Sequence, residues 1–256
     1  MIVAVILVLL VFGFSAYKVA DYTIDTVESE KEADVLFEKG ITVPKEKEVI
    51  VIEKANGQTG KKEEPIMVEI PFTVDFRELT AECSDIRGWL YCEDTGINYP
   101  VVQAEDNDKY LHMLPDGRYS YGGTLFIDCD NEPDLSDFNT VIYGHNMKNG
   151  TMFGKLSKYK KQEYFDEHPV MFYFTQDGSY LCELVAGFMT DADASFYYGL
   201  NGIRERREFL SMATESSTFK SGIEATEEDR YLTLSTCSSE SQDARYVVVG
   251  KLTRLR

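Results

Sequence analysis

Cys237 directly follows an alternating run of residues that predicts a β-strand, in the stretch YLTLSTC at residues 231–237. A side chain at the end of a strand can lie at the edge of a groove. A thiol nucleophile needs a partner that makes it a thiolate, a proton donor for the leaving group, and a cation or N–H groups for the oxyanion. Cys237 is therefore a candidate nucleophile, and the alternative is a small buried core residue.

Three histidines are available as the partner of this thiol, namely His112, His145 and His168. His112 lies in the helix-like stretch YLHML, and His168 precedes Pro169 at a predicted helix end, which favours a surface or capping role. His145 follows the apolar stretch TVIY and lies beside Gly144, where a side chain can project from the rim of a barrel. We predict that His145 is the acid and base, and the alternative is a structural histidine at a strand end.

Arg245 is the candidate cation of the site. It follows the polar segment SSESQDA and begins the apolar run YVVVGKL, so Cys237 and Arg245 end and begin adjacent predicted strands and can face one groove. A planar guanidinium is suited to holding a peptide carbonyl or a developing oxyanion. The alternative is an ordinary arginine at the barrel rim, paired with an acid such as Asp243 or Glu240.

The remaining cysteines and the net charge exclude other classes of site. The chain has no CxxC pair and no histidine at metal-ligand spacing, so neither a zinc site nor any other metal or organic cofactor is predicted. The formal net charge of −18, without a cluster of Lys and Arg, argues against nucleic acid as a partner. The four other cysteines lie mostly in apolar contexts that suit burial: Cys83, Cys92, Cys129 and Cys182.

Short segments rich in β-branched and aromatic residues dominate the chain after residue 86. Seven or eight such strands, with a hairpin turn at Asp177 and Gly178, predict a mainly β fold that closes into a barrel. Peripheral helices are predicted at TVDFRELTAECSDI before the first strand and at three later stretches. These stretches are DNDKYLHML, GTMFGKLSKYKKQEYFDEH and IRERREFLSMATES, of which the last lies in a long excursion between two core strands.

The N-terminal segment predicts a transmembrane anchor at residues 1–20. Its first 16 residues are apolar, and Tyr17 and Lys18 then supply an aromatic and a cation suited to a membrane interface. The alternative is a cleaved signal peptide, since the sequence KVA ending at Ala20 resembles a cleavage site.

A polar stalk is predicted between this anchor and the folded part of the chain. Residues 21–70 begin with a helix-prone stretch and continue as a segment rich in Lys and Glu, with ANGQTGKKEEP as a flexible joint. The catalytic domain is then predicted at residues 71–256, which is enough chain for one well-packed unit.

The site residues together resemble a known family. TLSTC at residues 233–237, YGHN upstream of it and an arginine that begins the next strand resemble the sortases, membrane-anchored cysteine transpeptidases of Gram-positive bacteria. The stretches GWLYCEDTGINYPVVQAEDNDKYL, YGGTLFID and NTVIYGHNM are similar to those of class B sortases. The resemblance runs from about Phe76 to Leu255 and implies an eight-stranded sortase barrel, with an N-terminal helix and a helix in the excursion before the cysteine strand.

The resemblance also implies a mechanism. Cys237 would attack the carbonyl of a Thr in a C-terminal sorting signal and give a thioester acyl-enzyme. His145 would protonate the departing amine and deprotonate the incoming one, and Arg245 would hold the substrate backbone and help stabilise the oxyanion. The peptide groove would be lined by Asn107, Leu111, Ser235 and Thr236, of which Leu111 has core packing as its alternative.

The resemblance leaves the two substrates open. The accepting amine would belong either to the cell-wall cross-bridge or to a pilin lysine, and the third alternative is a non-catalytic adaptor at the membrane. The sorting signal is expected to depart from Leu-Pro-x-Thr-Gly toward an Asn-Pro or Ser-Pro type. Ser238 and Ser239 stand where class B relatives often carry an acidic residue, and this departure affects substrate placement. The catalytic domain is expected outside the cytoplasm.

Overall fold

The computed structural model describes residues 2–46, 48–52, 66–191, 200–237 and 243–256, with side chains for all of these except residues 2–5, 19–26, 66 and 237. Three features of the sequence therefore lie outside the described residues. They are the predicted joint at 55–65, the pair Ser238 and Ser239, and Glu240, the more distant of the two acids considered as partners of Arg245.

Four α-helices, two 3₁₀ segments and twelve strands make up the described part of the chain. The helices are α1 Ile2–Gly40, α2 Phe76–Glu82, α3 Gln162–Glu167 and α4 Ile203–Glu215, and the 3₁₀ segments are Lys109–Leu111 and Leu156–Lys160. The short N-terminal strands are β1 Ile41–Thr42, β2 Glu48–Ile52, β3 Ile66–Ile70 and β4 Thr73–Val74. The longer series is β5 Ile86–Cys92, β6 Ile97–Val102, β7 Leu125–Ile127, β8 Asn139–Tyr143, β9 Val170–Thr175, β10 Gly178–Asp191, β11 Arg230–Cys237 and β12 Ala244–Arg254.

Strands β5 to β12 close into one barrel in the order β10-β12-β11-β8-β7-β6-β5-β9. The pairs β6-β7 and β8-β11 are parallel, and the other neighbours are antiparallel. Closure leaves no unpaired edge among these strands, which satisfies their backbone N–H and C=O groups. The predicted closed eight-stranded barrel is confirmed.

Both faces of the central strands are buried, and this accounts for their continuous apolar runs. On β11, Leu232 and Leu234 face the barrel interior, whereas Tyr231 packs in the outer cluster beneath α4. From α4 that outer cluster receives Phe209 and Leu210, so the amphipathic face of this helix covers the outside of the barrel. The predicted helix in the excursion before β11 is thus present, and it buttresses the strand that ends at the candidate nucleophile.

The stretch DNDKYLHML, predicted to be helical, forms only the short 3₁₀ segment at Lys109–Leu111, so this part of the prediction is wrong. Tertiary partners take the carbonyls that would have continued a helix. The carbonyl of Tyr110 accepts the backbone N–H of Thr124 at 3.1 Å, and that of Leu111 accepts a hydrogen bond from His145 at 2.8 Å. An α-helix needs those carbonyls for its own i to i+4 bonds, so it ends here.

Helix α1 joins the predicted anchor and the first part of the predicted stalk into one continuous helix. Ala33 and Leu36 are buried against the rest of the molecule, and the hydroxyls of Ser29 and Ser120 lie 2.8 Å apart. Within the described residues, no helix combines the length and the apolar character needed to cross a membrane. The domain boundary at Pro71 stays a prediction, and ordered structure N-terminal to it contacts the barrel.

The docking of α1 predicts unequal effects at two neighbouring positions. Leu36→Ala removes a side chain that is 1% exposed and should lower the free energy of unfolding by about 2–5 kcal/mol. Val35→Ala is the matched control on the same helix, because Val35 is 45% exposed and should change stability by less than about 0.5 kcal/mol. Denaturant unfolding of the full chain measures both, and equal effects would contradict the docking.

Candidate active site

The pairing of β11 with β12 brings two of the predicted site residues together. In this antiparallel pair the backbone of Cys237 lies directly opposite that of Arg245. Opposite residues of an antiparallel pair have Cα atoms about 4.5–5.5 Å apart. The end of one strand and the start of the next therefore place Cys237 and Arg245 at one edge of the barrel, as the sequence predicts.

The parallel pairing of β11 with β8 positions His145, the third predicted site residue. Ser235 lies opposite Tyr143, the last residue of β8, and the carbonyl of Ser235 accepts the backbone N–H of Gly144 at 3.1 Å. His145 follows at once, so the register of β8 fixes where its side chain begins. Gly144 is required here because a Cβ would overlap the side chains of Leu125 and Phe153.

A carbonyl oxygen fixes the tautomer of His145. Its Nε2 lies 2.8 Å from the carbonyl oxygen of Leu111. A carbonyl oxygen only accepts hydrogen bonds, so Nε2 carries hydrogen and Nδ1 carries the lone pair of the neutral ring. Gly123, at φ +53°, allows this geometry, because a Cβ there would overlap the carbonyls of Tyr110 and Leu111.

The surroundings of His145 disfavour its charged form. Burial of the ring lowers the pKa of His145 below 6.5, the hydrogen bond to Leu111 opposes that shift, and the charge of His112 adds to it. The rings of His112 and His145 are stacked, with centroids 5.2 Å apart and an interplanar angle of 18°. The sequence places His112 in a predicted helical stretch, and its contact with the candidate acid and base was missed.

No carboxylate among the described residues forms an ion pair with the guanidinium of Arg245. The side chain is half-buried, and its Nη1 lies 3.4 Å from the carbonyl oxygen of Ala244, a long hydrogen bond. No ion pair joins it to Asp243 or to any other acid within the described ranges. Asp243 therefore does not neutralise Arg245, whereas a pairing with Glu240 lies outside the described residues.

One cleft of about 470 Å³ contains nearly all of the predicted site residues. Its described lining is Asn107, Asp108, Leu111, Phe126, Tyr143, Gly144, His145, Ser235, Thr236 and Arg245. The four residues predicted to line a groove are all present, together with the predicted histidine and arginine. Cys237 ends the strand that supplies Ser235 and Thr236, and its side chain lies outside the described part.

Sequence reasoning missed the aromatic wall of the cleft. Phe126 and Tyr143 line it with ring centroids 5.4 Å apart. Tyr143 lies two residues before His145, and the period of two along a strand could have placed both side chains on one face. Nothing local in the sequence marks Phe126, because its position in the wall depends on the pairing of β7 with β8.

Thr236 carries a polar atom that the described protein leaves unsatisfied at the cleft. The residue is 2% exposed, and its Oγ1 has no hydrogen-bond partner among the described residues. A buried hydroxyl is costly without a partner, so Thr236 has a hydrogen-bonding capacity at the cleft that no described residue uses. Ser235, which precedes it, is also buried.

Burial disfavours the thiolate at three of the other four cysteines, and the fourth, Cys83, contacts the Tyr110 hydroxyl. Cys92 and Cys182 are buried in the barrel core, and burial raises the pKa of the Cys92 thiol to about 11 and that of Cys182 further. Cys83 and Cys129 are half-buried, and burial next to carboxylates raises the pKa of Cys129. None of these four forms a disulfide. A raised thiol pKa lowers the thiolate fraction that reaction requires.

One group of potential metal ligands lies beside the cleft within the described residues. Ligand atoms of Asp128, Cys129 and Asp130 are within 4.8 Å of one another. Protein donors already occupy the Asp128 carboxylate, which accepts hydrogen bonds from the Tyr143 hydroxyl, the Asn107 amide and the backbone N–H of Asp130. These hydrogen bonds satisfy the buried carboxylate of Asp128 without a bound ion.

Comparisons with known proteins agree on one family. A family model described as the Sortase domain matches residues 90–253. Sortase B from Listeria monocytogenes is 37% identical over 183 residues, which cover 70% of this chain and 74% of that protein. A solved structure of sortase B from Bacillus anthracis is 31% identical, with a TM-score of 0.70 over 91% of this chain and 99% of that one.

Sortase B from Staphylococcus aureus is similar at 29% identity and has been solved both as a substrate complex and in complex with triglycine. Each of those structures has a TM-score of 0.67, covering 71% of this chain and 85% or 86% of the other. The likeness therefore includes structures in which that protein holds its ligands.

The environment of His145 predicts its titration. Its ring should titrate with a midpoint below 6.5 in ¹H–¹³C NMR spectra of the full chain. His112→Gln should raise this midpoint by removing a neighbouring charge, yet leave it below 6.5, because burial is the largest cause. His168→Gln is the control, since that ring contacts Tyr164 at a helix end and does not line the cleft, so it should leave the midpoint unchanged.

The same shift makes a stability prediction with a definite sign. The unfolded state binds a proton at His145 more readily than the folded state does, so the contribution of His145 to stability is complete above about pH 6.5 and declines as the pH falls below it. A midpoint at or above 6.5 in the NMR titration would contradict the burial argument.

Proposed function

This chain belongs to the sortase family and is a sortase B-type cysteine transpeptidase, and from this premise we propose the roles of its site residues, its two substrates and its location. We propose that it cleaves a C-terminal sorting signal after Thr through a thioester on Cys237 and transfers the protein to an amine of the cell-wall peptide. The observation that carries this proposal is the register of β11, which pairs with the strand of Arg245 on one side and with the strand before His145 on the other.

In the first half of the reaction, the thiolate of Cys237 attacks the carbonyl carbon of the substrate threonine. The new C–S bond gives a tetrahedral intermediate, and the C–N bond to the following residue then breaks. His145 gives its proton to the departing amine, which leaves as the C-terminal peptide. The acyl group remains on Cys237 as a thioester, so the energy of the peptide bond is retained for the second half.

The nitrogen of His145 that exchanges this proton is Nδ1. The Leu111 carbonyl holds Nε2 as an N–H donor in both the neutral and the charged ring. Only Nδ1 can therefore lose and regain a proton while the ring stays in place. The hydrogen bond of Nε2 favours the charged form, which partly offsets burial when His145 acts as an acid.

The lowered pKa of His145 also limits the rate. Because burial lowers the pKa of His145, a smaller fraction of the protein carries the imidazolium at neutral pH than an exposed histidine would give. A thiolate and an imidazolium must coexist for the first step, so the competent fraction is smaller than either fraction alone. Slow turnover at neutral pH is the expected consequence.

Arg245 and the end of β11 bind the substrate backbone and the oxyanion. The guanidinium presents several N–H donors in one plane and has no acid to neutralise it among the described residues. Thr236 supplies a hydroxyl that lacks a partner in the described protein and lies against the same cleft. These donors match the acceptors of an extended peptide whose threonine carbonyl lies at Cys237.

In the second half, an amine attacks the thioester carbonyl. His145 takes the proton of the incoming amine, and the sulfur of Cys237 leaves as thiolate, so the enzyme returns to its starting state. The triglycine complex of the S. aureus relative supports a peptide amine as the acceptor, and its substrate complex supports a peptide in the groove. We propose a cell-wall cross-bridge amine in preference to a pilin lysine on this ground.

We propose that residues 1–20 anchor the protein in the cell membrane, with the catalytic domain on the cell-wall side. Support comes from the apolar sequence and from the large apolar side chains that α1 exposes between Ile6 and Tyr17. An extracytoplasmic site would give the enzyme access to both cell-wall peptide and exported proteins.

The thioester predicts a covalent adduct on one cysteine. Full-length protein mixed with peptides of the Leu-Pro-x-Thr, Asn-Pro-x-Thr and Ser-Pro-x-Thr types should gain the mass of the peptide up to its Thr, and hydroxylamine should remove it. Cys237→Ala should abolish the adduct, whereas Cys83→Ser should retain it, because that half-buried thiol contacts Tyr110 and not the cleft. Intact-mass spectrometry with proteolytic mapping decides, and an adduct on Cys237→Ala would refute the assignment.

The planar fork of Arg245 predicts that lysine cannot replace it. Arg245→Lys keeps the charge and loses the paired donors, so kcat/KM should fall by about 10- to 100-fold. Arg230→Lys is the matched control at the other end of β11, where the guanidinium bonds the Leu135 carbonyl and does not line the cleft. Peptide cleavage assays measure both variants. Wild-type kinetics for Arg245→Lys would contradict a role for Arg245 in binding the substrate or the oxyanion.

A further inference from the structure

The Asp128 carboxylate is buried behind the cleft and is not part of its lining. Asp128 follows β7 directly and is 1% exposed. Its Oδ2 accepts hydrogen bonds from the Tyr143 hydroxyl at 2.8 Å and from the Asn107 amide nitrogen at 3.3 Å, and its Oδ1 accepts the backbone N–H of Asp130 at 2.9 Å. One buried carboxylate thus holds two residues that do line the cleft.

Asp128 itself is held in place by the barrel. Its backbone N–H donates to the carbonyl of Val141 on β8 at 2.9 Å, and its own carbonyl accepts from the amide nitrogen of Gln103 at 3.0 Å and the backbone N–H of Asn131 at 3.1 Å. The carboxylate is therefore a fixed acceptor, and its position sets the orientation of the Tyr143 hydroxyl and the Asn107 amide.

The amide of Asn107 has a single orientation that satisfies its neighbours. The backbone N–H of Cys129 donates to its Oδ1 at 2.9 Å, and its Nδ2 donates to Asp128. The Cys129 N–H can only donate and the carboxylate can only accept, so a flipped amide would lose both bonds. These two neighbours therefore fix the amide oxygen of Asn107 toward Cys129 and its nitrogen toward Asp128.

The second hydrogen of the Asn107 amide is left for the cleft. Asn107 lines the cleft, and no described residue accepts from its Nδ2 other than Asp128. The group that a peptide meets at this wall is accordingly an N–H donor of fixed direction. Such a donor selects a carbonyl oxygen of the peptide, and it gains strength because its nitrogen is already bonded to a carboxylate.

We propose that Asp128 is a positioning residue for substrate selection, which orients the Asn107 amide so that its N–H binds a carbonyl oxygen of the sorting peptide. This inference rests on the proposed function for its substrate and on the hydrogen bonds above for its geometry. Asp128 acts through Asn107 and touches no reacting atom. Its effect should therefore be on KM for the peptide and not on the chemical step.

The substitution Asp128→Asn tests this role without changing side-chain size. If the new amide keeps its oxygen for the Asp130 N–H, its NH₂ group faces two donors, the Asn107 Nδ2 and the Tyr143 hydroxyl. If it turns its oxygen toward those two donors, its NH₂ group faces the Asp130 N–H, and Asn107 is held by a neutral oxygen, a weaker acceptor than a carboxylate. KM should rise by about 5- to 10-fold, the effect of losing one neutral hydrogen bond, while kcat stays within about twofold.

The exchanged pair Asn107→Asp with Asp128→Asn separates positioning from simple structural support. In this double variant the carboxylate at position 107 accepts both the Cys129 N–H and the NH₂ of the side chain at position 128, so the hydrogen bonds among positions 107, 128 and 129 and the net charge are restored. The Tyr143 hydroxyl faces an NH₂ group in place of its carboxylate acceptor. The cleft now meets a carboxylate oxygen where it met an N–H. The double variant should recover part of the melting temperature lost in Asp128→Asn and retain the raised KM.

Asp137→Asn is the matched control for loss of a structural carboxylate. Asp137 accepts hydrogen bonds from the Asn131 amide and the backbone N–H of Glu132, both at 2.8 Å, in the loop that follows Asp128, and it does not line the cleft. This substitution should lower the melting temperature and leave KM unchanged.

The experiment measures KM and kcat for the most reactive peptide of the panel, the melting temperature, and the side-chain amide signals of Asn107 in ¹H–¹⁵N spectra of full-length protein, assigned with Asn107→Ala. A raised KM in Asp128→Asn and in the double variant, with a normal KM in Asp137→Asn, supports the proposal. An unchanged KM in Asp128→Asn, or a KM restored by the double variant, overturns it.

The NMR signals of the Asn107 amide test the role of Asp128 independently of whether the proposed function is correct. If the wild type forms no thioester with any peptide, the proposed function fails, and the Asn107 signals still decide whether Asp128 holds the amide. Those signals should shift in Asp128→Asn and stay in place in Asp137→Asn. Unchanged Asn107 signals in Asp128→Asn would overturn the orienting role whatever the activity.

Discussion

The site depends on one strand, β11, which pairs in parallel with β8 and antiparallel with β12. This double pairing fixes two backbone pairs at once: Cys237 lies opposite Arg245, and Ser235 lies opposite Tyr143, the strand end that leads to His145. A slip of one residue in either pairing would turn every side chain of β11 to its other face. The two buried faces of β11, one in the barrel core and one beneath α4, oppose such a slip because each would lose its apolar contacts.

The loop at residues 109–124 completes the site because it does not continue as a helix. A continued helix would use the Leu111 carbonyl internally, but here that carbonyl holds Nε2 of His145 and leaves Nδ1 as the nitrogen that can exchange a proton. Burial makes the imidazole a weaker base, whereas this hydrogen bond favours its charged form, so the two effects act in opposite directions on one pKa. The balance suits a residue that must both give and take a proton in one catalytic cycle.

The sequence alone predicts the parts of this molecule that follow from local pattern and strand order. Alternation predicts the barrel strands, an amphipathic stretch predicts α4, and the ends of two adjacent strands predict that Cys237 and Arg245 meet. It does not predict the stack of His112 on His145, because that contact depends on a loop fold set by tertiary hydrogen bonds. The error over DNDKYLHML has the same origin, since helix propensity cannot anticipate a carbonyl taken by a distant residue.

Main-chain pairing positions the predicted catalytic residues, and side-chain hydrogen bonds position the residues that we propose bind the substrate. The first kind of constraint tolerates changes in neighbouring side chains, because it resides in backbone N–H and C=O groups. The second kind depends on each donor facing an acceptor, and a buried carboxylate such as Asp128 is stable only while its hydrogen bonds remain. Substrate preference can therefore change through Asn107 and its neighbours while the reaction stays the same, since the barrel register that carries the chemistry does not depend on which end of an amide faces the cleft.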